Sequence, residues 1–223
     1  MQTVDRAKAI PPASKPRAAD VAYKTLENMI VKLALKPGAP VVESELIEAT
    51  GLGRTPLREA LLRMSTNGLI LPMPRRGLVV SDIEAAEHLT LLETRRVLER
   101  LIAASAARRA TPQQRKDILL CGKKMVQSSR KSDLDGYMDA DRALDQVVHE
   151  ACRNPSAVAA VTHLIIKCRR FWYAYQHEGD VVQGAKCHLA LAEAIADGES
   201  EAAAGAADKL VDYLEAYARK IID

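Results

Sequence analysis

The chain has 223 residues, 48% of them hydrophobic and 27% charged, and it holds 36 alanines against eight aromatic residues. So many small aliphatic side chains and so few rings exclude a β-sandwich, whose core draws on aromatic and β-branched residues, and point to closely approaching helices. The net charge of +3 is uneven: residues 1–80 carry 12 Lys/Arg against 7 Asp/Glu, whereas residues 81–223 carry 20 against 22. A basic head of this kind suits a polyanionic partner, attached to a nearly neutral body. Cys121, Cys152, Cys168 and Cys187 stand far apart without a C-x-x-C spacing, which excludes a zinc ribbon, a thioredoxin-like motif and a secreted disulfide framework. They read as buried thiols in a reducing cytoplasm, and the chain has neither a signal-peptide pattern nor an apolar run long enough to span a membrane.

Residues 1–18 hold three prolines and four basic residues but almost no large apolar side chain, and are expected to form a flexible basic arm. Asp20 reads as the N-cap of a helix carrying Val21, Leu26, Met29, Ile30 and Leu33, which Lys36-Pro37-Gly38 ends. A short helix over Glu43 to Thr50 stops at Gly51, and another runs from about Arg54 to Asn67 before Gly68. Two short helices joined by a glycine-containing turn form a helix-turn-helix pattern. Leu69-Ile70-Leu71-Pro72 and Leu78-Val79-Val80 then flank Pro74-Arg75-Arg76-Gly77, a hairpin with a basic tip. Together these elements predict a winged helix over residues 19–80.

Ser81-Asp82-Ile83-Glu84 has the form of a capping box and marks a domain boundary near residue 80. A helical run follows to about Arg109, with an expected break near Leu89. Thr111-Pro112-Gln113-Gln114 is a second capping box, and further helices are predicted over 112–128, 133–152, 155–177, 181–197 and 199–222. The expected fold is therefore mostly α: an N-terminal winged helix-turn-helix domain and, over residues 81–223, an all-helical bundle of about six helices.

The stretch Arg54-Thr55-Pro56-Leu57-Arg58-Glu59-Ala60-Leu61, followed by Gly68-Leu69 and Arg76-Gly77, resembles the signature of the GntR family of bacterial transcription regulators. The helical body is similar to the FCD class of that family, and six helices favour its VanR-like branch. Independently of the resemblance, Arg54 at the start of a recognition helix can grip guanine O6 and N7 with a bidentate fork. Arg58 lies one turn on, Thr55 offers a hydroxyl, and the free N–H groups of the first turn suit phosphate. Pro56 fits there because its missing N–H would be unpaired in any case. Arg63 and Arg75 are open between DNA contact and a solvated surface. The resemblance implies wing contacts by Arg76 and Gly77, and a contact at Ser44, where relatives carry Arg. Gly53 stands where the family usually has Ser.

The resemblance also implies an effector cavity in the bundle, in which an Asp, a His four residues on and two later His hold a divalent metal. Asp141, Ala151 and Asn154-Pro155 keep that frame, but Asp145 stands in the first His position, His188 matches the next, and Leu210 falls at the last. Two readings stay open. Asp141, Asp145 and His188 could bind a divalent cation weakly, or the cavity has lost the metal and binds its effector directly. Arg95, in a Leu92-to-Glu99 segment similar to the family's cavity-facing element, is the expected contact for an effector carboxylate, the alternative being an ion pair with Glu99 or Asp141. Trp172 and Tyr175 belong to a ring cluster with Phe171 and Tyr173 that either walls the cavity or packs the core.

The expected function is a ligand-responsive DNA-binding regulator: a homodimeric repressor released from a duplex operator by a small carboxylate, with no catalytic residues and no membrane partner. Two alternatives are a carboxylate/His metal-dependent hydrolase, which would leave the winged helix unexplained, and an architectural DNA-binding protein whose body only dimerises.

Overall fold

The computed structural model describes residues 16–176 and 181–222, so most of the expected N-terminal arm lies outside the described residues. The chain divides into two compact units, the smaller comprising residues up to Met29 with Gly38–Ser81 and the larger Ile30–Pro37 with Asp82 onward.

In the smaller unit, α1 (Ala18–Val31) buries Ala19, Ala22, Tyr23 and Leu26, the i, i+3, i+4, i+7 stripe of an amphipathic helix. It starts two residues before Asp20, which is therefore a first-turn residue rather than the N-cap: its carboxylate accepts from Arg63 Nη1 at 2.8 Å. Helix α2 (Glu43–Thr50) closes on Gly51, whose φ of 68° brings its N–H back to the Ile47 carbonyl. Helix α3 (Arg54–Thr66) buries Leu57, Ala60, Leu61 and Met64. Strands β1 (Ile70–Met73) and β2 (Gly77–Val80) pair antiparallel, from Ile70 opposite Val80 to Met73 opposite Gly77. A bridge from Pro40 to Val79, with Val41 N–H donating to Leu78 O at 2.8 Å and Val80 N–H to Ala39 O at 2.9 Å, adds a third edge to this wing. That edge has no strand signature because it is short and interrupted by Gly38 and Pro40.

The larger unit consists of α4 (Ala85–Arg109), α5 (Pro112–Arg130), α6 (Leu134–Cys152), α7 (Pro155–Tyr175), α8 (Val181–Asp197) and α9 (Ser200–Ile222) among the described residues. Helix α4 is central and touches α6, α7, α8 and α9. It runs unbroken through Leu89, and it begins at Ala85 with Glu84 as an N-cap that makes no side-chain bond, so the Ser81 box does not form. The second box does: Thr111 accepts from Gln114 N–H at 3.2 Å while Gln114 accepts from Thr111 N–H at 3.0 Å. Asp133 and Asn154 cap α6 and α7 through Gly136 and Ala157 N–H groups.

Small residues set the spacing. Buried Ala103, Ala106 and Ala107 on α4 and Ala203, Ala204 and Ala207 on α9 belong to the closely packed α4/α9 pair. On α5, a Cβ at Gly122 would stand 2.9 Å from Ala192 Cβ of α8, so only glycine permits this approach. At one end of the bundle Arg115 donates from Nη1 to Ala196 O at 2.7 Å and from Nη2 to Ala107 O at 2.7 Å, fastening the C-terminal carbonyls of α8 and α4 with one guanidinium.

Candidate functional site

Within the smaller unit, burial of one face of α3 forces the other outward. Arg54, Thr55 and Arg58 are exposed, and Pro56 is half-buried under the first turn. The N-cap is Gly53, with no side-chain hydrogen bond, so the first-turn N–H groups are not covered by a capping hydroxyl. Arg58 is held by α2: its Nε donates to Glu43 Oε2 at 2.8 Å and Oε1 at 3.0 Å. Ser44, the next residue of α2, is exposed. Arg63 has a structural task, pairing with Asp20 and lying 4.4 Å over the Tyr23 ring, so it ties α3 to α1. At the wing tip Arg75 and Arg76 are exposed, and Arg75 and Gly77 both take positive φ, 63° and 73°. Arg54, Thr55 and the wing thus offer an exposed basic surface carried on a rigid core.

The larger unit holds a half-open cavity with about 40 Å³ accessible to the centre of a water molecule, walled by α4, α6, α7, α8 and α9. Arg95, Asp141, His188 and Trp172, all singled out in the sequence, line it. Asp145 lies beside it on the α6 face of Asp141, one turn on. Tyr175 packs instead on Phe171 at 4.9 Å, in a group where Phe171 also stacks on His88 at 3.8 Å. Trp172 stacks on Tyr137 at 5.3 Å.

The charged residues of the cavity are already engaged. Buried Arg95 donates from Nε to buried Glu99 at 3.0 Å, the ion pair that the sequence left open, while its side chain still forms part of the wall. Arg169 on α7 forks across the acidic pair of α6, from Nε to Asp141 Oδ2 at 2.5 Å and from Nη2 to Asp145 Oδ2 at 2.6 Å. His188 Nδ1 donates to Gly184 O at 2.8 Å, which turns Nε2 toward Asp141 Oδ1 at 3.3 Å. Burial works against ionisation of both carboxylates, but for Asp141 the charge of Arg169 and the His188 contact prevail and hold it well below the usual range. For Asp145 burial prevails, reinforced by the charges of Asp141 and Glu99, and its pKa is raised.

Arg169 is the residue that sequence reasoning missed. Its partners lie 28 and 24 positions away on another helix. The only local signal is that Asp141 and Asp145 share a helix face and so call for a nearby cation.

Comparison with known proteins fits both units. The model for bacterial regulatory proteins of the gntR family matches residues 18–80, and the FCD domain model matches residues 90–213, more than half of the chain. The chain belongs to the GntR family of transcription regulators, with an FCD domain. An HTH-type regulator from the TAR-I ttuE-ttuC' intergenic region of Agrobacterium vitis is 26% identical over 130 residues, covering 57% of this chain and 76% of the relative. The Escherichia coli regulator McbR is 25% identical over 134 residues, covering 60% of this chain and 61% of its own length, so the match spans less than two thirds of that relative. The solved structure of E. coli McbR/YncC superposes with a TM-score of 0.81 at 19% identity over 94% of this chain and 100% of that one, a likeness of fold. The GntR/FCD chain is thus a DNA-binding transcription regulator, not an enzyme, and the hydrolase alternative falls away. No described helix is long and apolar enough to cross a membrane.

The metal that the FCD resemblance implies does not fit the residues present. Asp145 is committed to a guanidinium, Leu210, at or near which the resemblance puts the last His, is buried and has no donor atom, and no group of three or more His, Cys, Asp or Glu converges among the described residues.

Proposed function

We propose that this chain is a ligand-responsive repressor: a homodimer whose two α3 helices read half-sites of a pseudo-palindromic operator and whose helical body releases DNA when a small carboxylate enters the cavity. The domain division follows this reading, with a basic arm over 1–18, the winged helix over 19–80 and the effector domain over 81–223. Six described helices in the body support the VanR-like branch. The observation that carries the effector reading is the half-open cavity itself, whose wall includes two guanidiniums, Arg95 and Arg169, and the His188 imidazole around a few waters' worth of space. An architectural protein that only dimerises has no use for buried charges around a void.

In the DNA-reading half, Arg54 is the base reader, with Thr55, Arg58 and Ser44 toward phosphate and Arg76 and Gly77 toward the minor groove. The test begins with an operator fragment selected by the full-length protein from random-sequence duplexes. Arg54→Ala is expected to retain the helical CD spectrum but lose about 1–3 kcal/mol of discrimination against unselected DNA. Normal selectivity in that variant overturns the α3 assignment. Trp172 is the chain's single tryptophan, so its fluorescence reads the cavity directly. A carboxylate that releases the operator must alter that emission, and release without any change places the effector elsewhere. Effector and DNA affinities are then reciprocally coupled.

A further inference from the structure

We infer that Arg169 is a built-in cation that takes the place of the divalent ion in this FCD frame, so that the cavity works without metal and offers its effector guanidinium groups directly. This deepens the effector reading above and rests on it.

The geometry argues the case from both sides. Asp141 and Asp145, four residues apart on α6, turn their carboxylates the same way, and each gives one oxygen to a different nitrogen of a single planar group at 2.5 and 2.6 Å. A metal centre would draw the same two side chains onto one point. Here a fork that needs no further ligands holds them, and it also ties α6 to α7, as a shared ion would. Among the described residues, no third His, Cys, Asp or Glu joins the preformed pair of His188 Nε2 and Asp141 Oδ1, 3.3 Å apart, in a metal-binding group. Two donors do not hold a dication, and one entering there would also meet the positive charge of Arg169. Arg95 and Arg169 both border the cavity, so an acidic ligand finds cationic hydrogen-bond donors in the wall where relatives of the frame would present a metal.

The probe is the metal alone. Full-length protein, stripped with chelator and desalted, is titrated with Mn²⁺, Ni²⁺ and Zn²⁺ by calorimetry, with equilibrium dialysis and elemental analysis as the count of ions per chain. Wild type is expected to show no saturable site and no change in operator binding with chelator. Arg169→Met frees Asp145 as a third donor and removes the repelling charge. It is expected to bind one ion per chain at least about 30-fold more tightly, the effect of deleting a unit charge ~4 Å from a dication in a water-like dielectric, and Asp141→Asn in that background abolishes the gain. If Arg169→Met does not fold, the double variant Arg169→Met/Asp145→His removes one uncompensated carboxylate and restores the family's ligand pair, and it must bind. One ion per wild-type chain, lost in Asp141→Asn, overturns the inference, as does a folded variant of either kind that binds none. The Trp172 response to carboxylates is read separately, so the effector reading can survive a failed metal test.

Discussion

Gly53→Ser is the most informative single change at the DNA-reading helix. Gly53 sits at φ −69° and ψ 152°, extended geometry open to any residue, and a Cβ there meets only the Pro56 Cδ and Cγ at 3.5 Å, an ordinary contact. No strain is introduced. A serine N-cap normally accepts from the N–H of the second or third helical residue, but the third is Pro56, which has none, so the Thr55 N–H is the one partner within the helix. The gain in folding stability over glycine is therefore small, about a few tenths of a kcal/mol. On DNA the same hydroxyl can donate to a phosphate beside the exposed first turn. One such hydrogen bond to a charged acceptor contributes about 1.5 kcal/mol, roughly tenfold in Kd. A hydroxyl neutralises no phosphate, so the slope of log K against log salt stays unchanged, whereas removal of a phosphate-bound arginine lowers it by about one. Fluorescence anisotropy on the selected operator at several salt concentrations measures both quantities. Unaltered affinity, or tighter binding with a changed slope, would show that the N-terminus of α3 does not face the DNA backbone.

Two further outcomes are expected in the body. Thr111→Ala removes the hydroxyl that caps Gln114 N–H and should cost about 1 kcal/mol, lowering Tm by roughly 2–4 °C in a chain of this size; an unchanged melt would mean that the first turn of α5 contributes nothing to the cooperative unit. His88, held at about 4 by burial and then by the charge of Arg95, is neutral in the folded protein and protonates near 6.5 when unfolded. Its contribution is present above pH 6.5 and is lost as the pH falls toward 4, at up to about 1.4 kcal/mol per pH unit. His88→Phe, which keeps a ring against Phe171, should flatten the decline of the urea midpoint between pH 7 and pH 5, and an equal decline in both proteins refutes the assignment.

Much of this architecture was legible because its signals are local. Gly51 after α2, Thr111-Pro112 before α5 and Asn154-Pro155 before α7 each act on backbone groups within a turn, and the wing follows from two short apolar runs around a basic tip. The misreadings have a common cause in tertiary context. Helix α4 is covered on several sides, so its apolar pattern has no single period and suggested a break at Leu89 that does not exist. Ser81 has the composition of a cap, yet its N–H is drawn to Leu69 O beside the wing and the helix begins at Ala85. The arginines were the least legible of all. Arg63 lies along the surface over Tyr23 and against Asp20, Arg58 is shared with Glu43, and Arg169, which organises the cavity, has no motif, because its meaning lies on the facing helix.

The Arg115 clasp has a bearing on how the bundle comes apart. Its acceptors are main-chain carbonyls at the ends of α4 and α8, and a carbonyl, unlike a carboxylate, has no proton to gain across the range in which proteins denature in acid. The fork at Arg169 depends on two carboxylates and fails once they are protonated. Acid should therefore unzip this domain directionally, loosening α6 from α7 while the α4/α8 terminus stays latched, and hydrogen exchange at falling pH would see the amides around Ala107 and Ala196 protected longest.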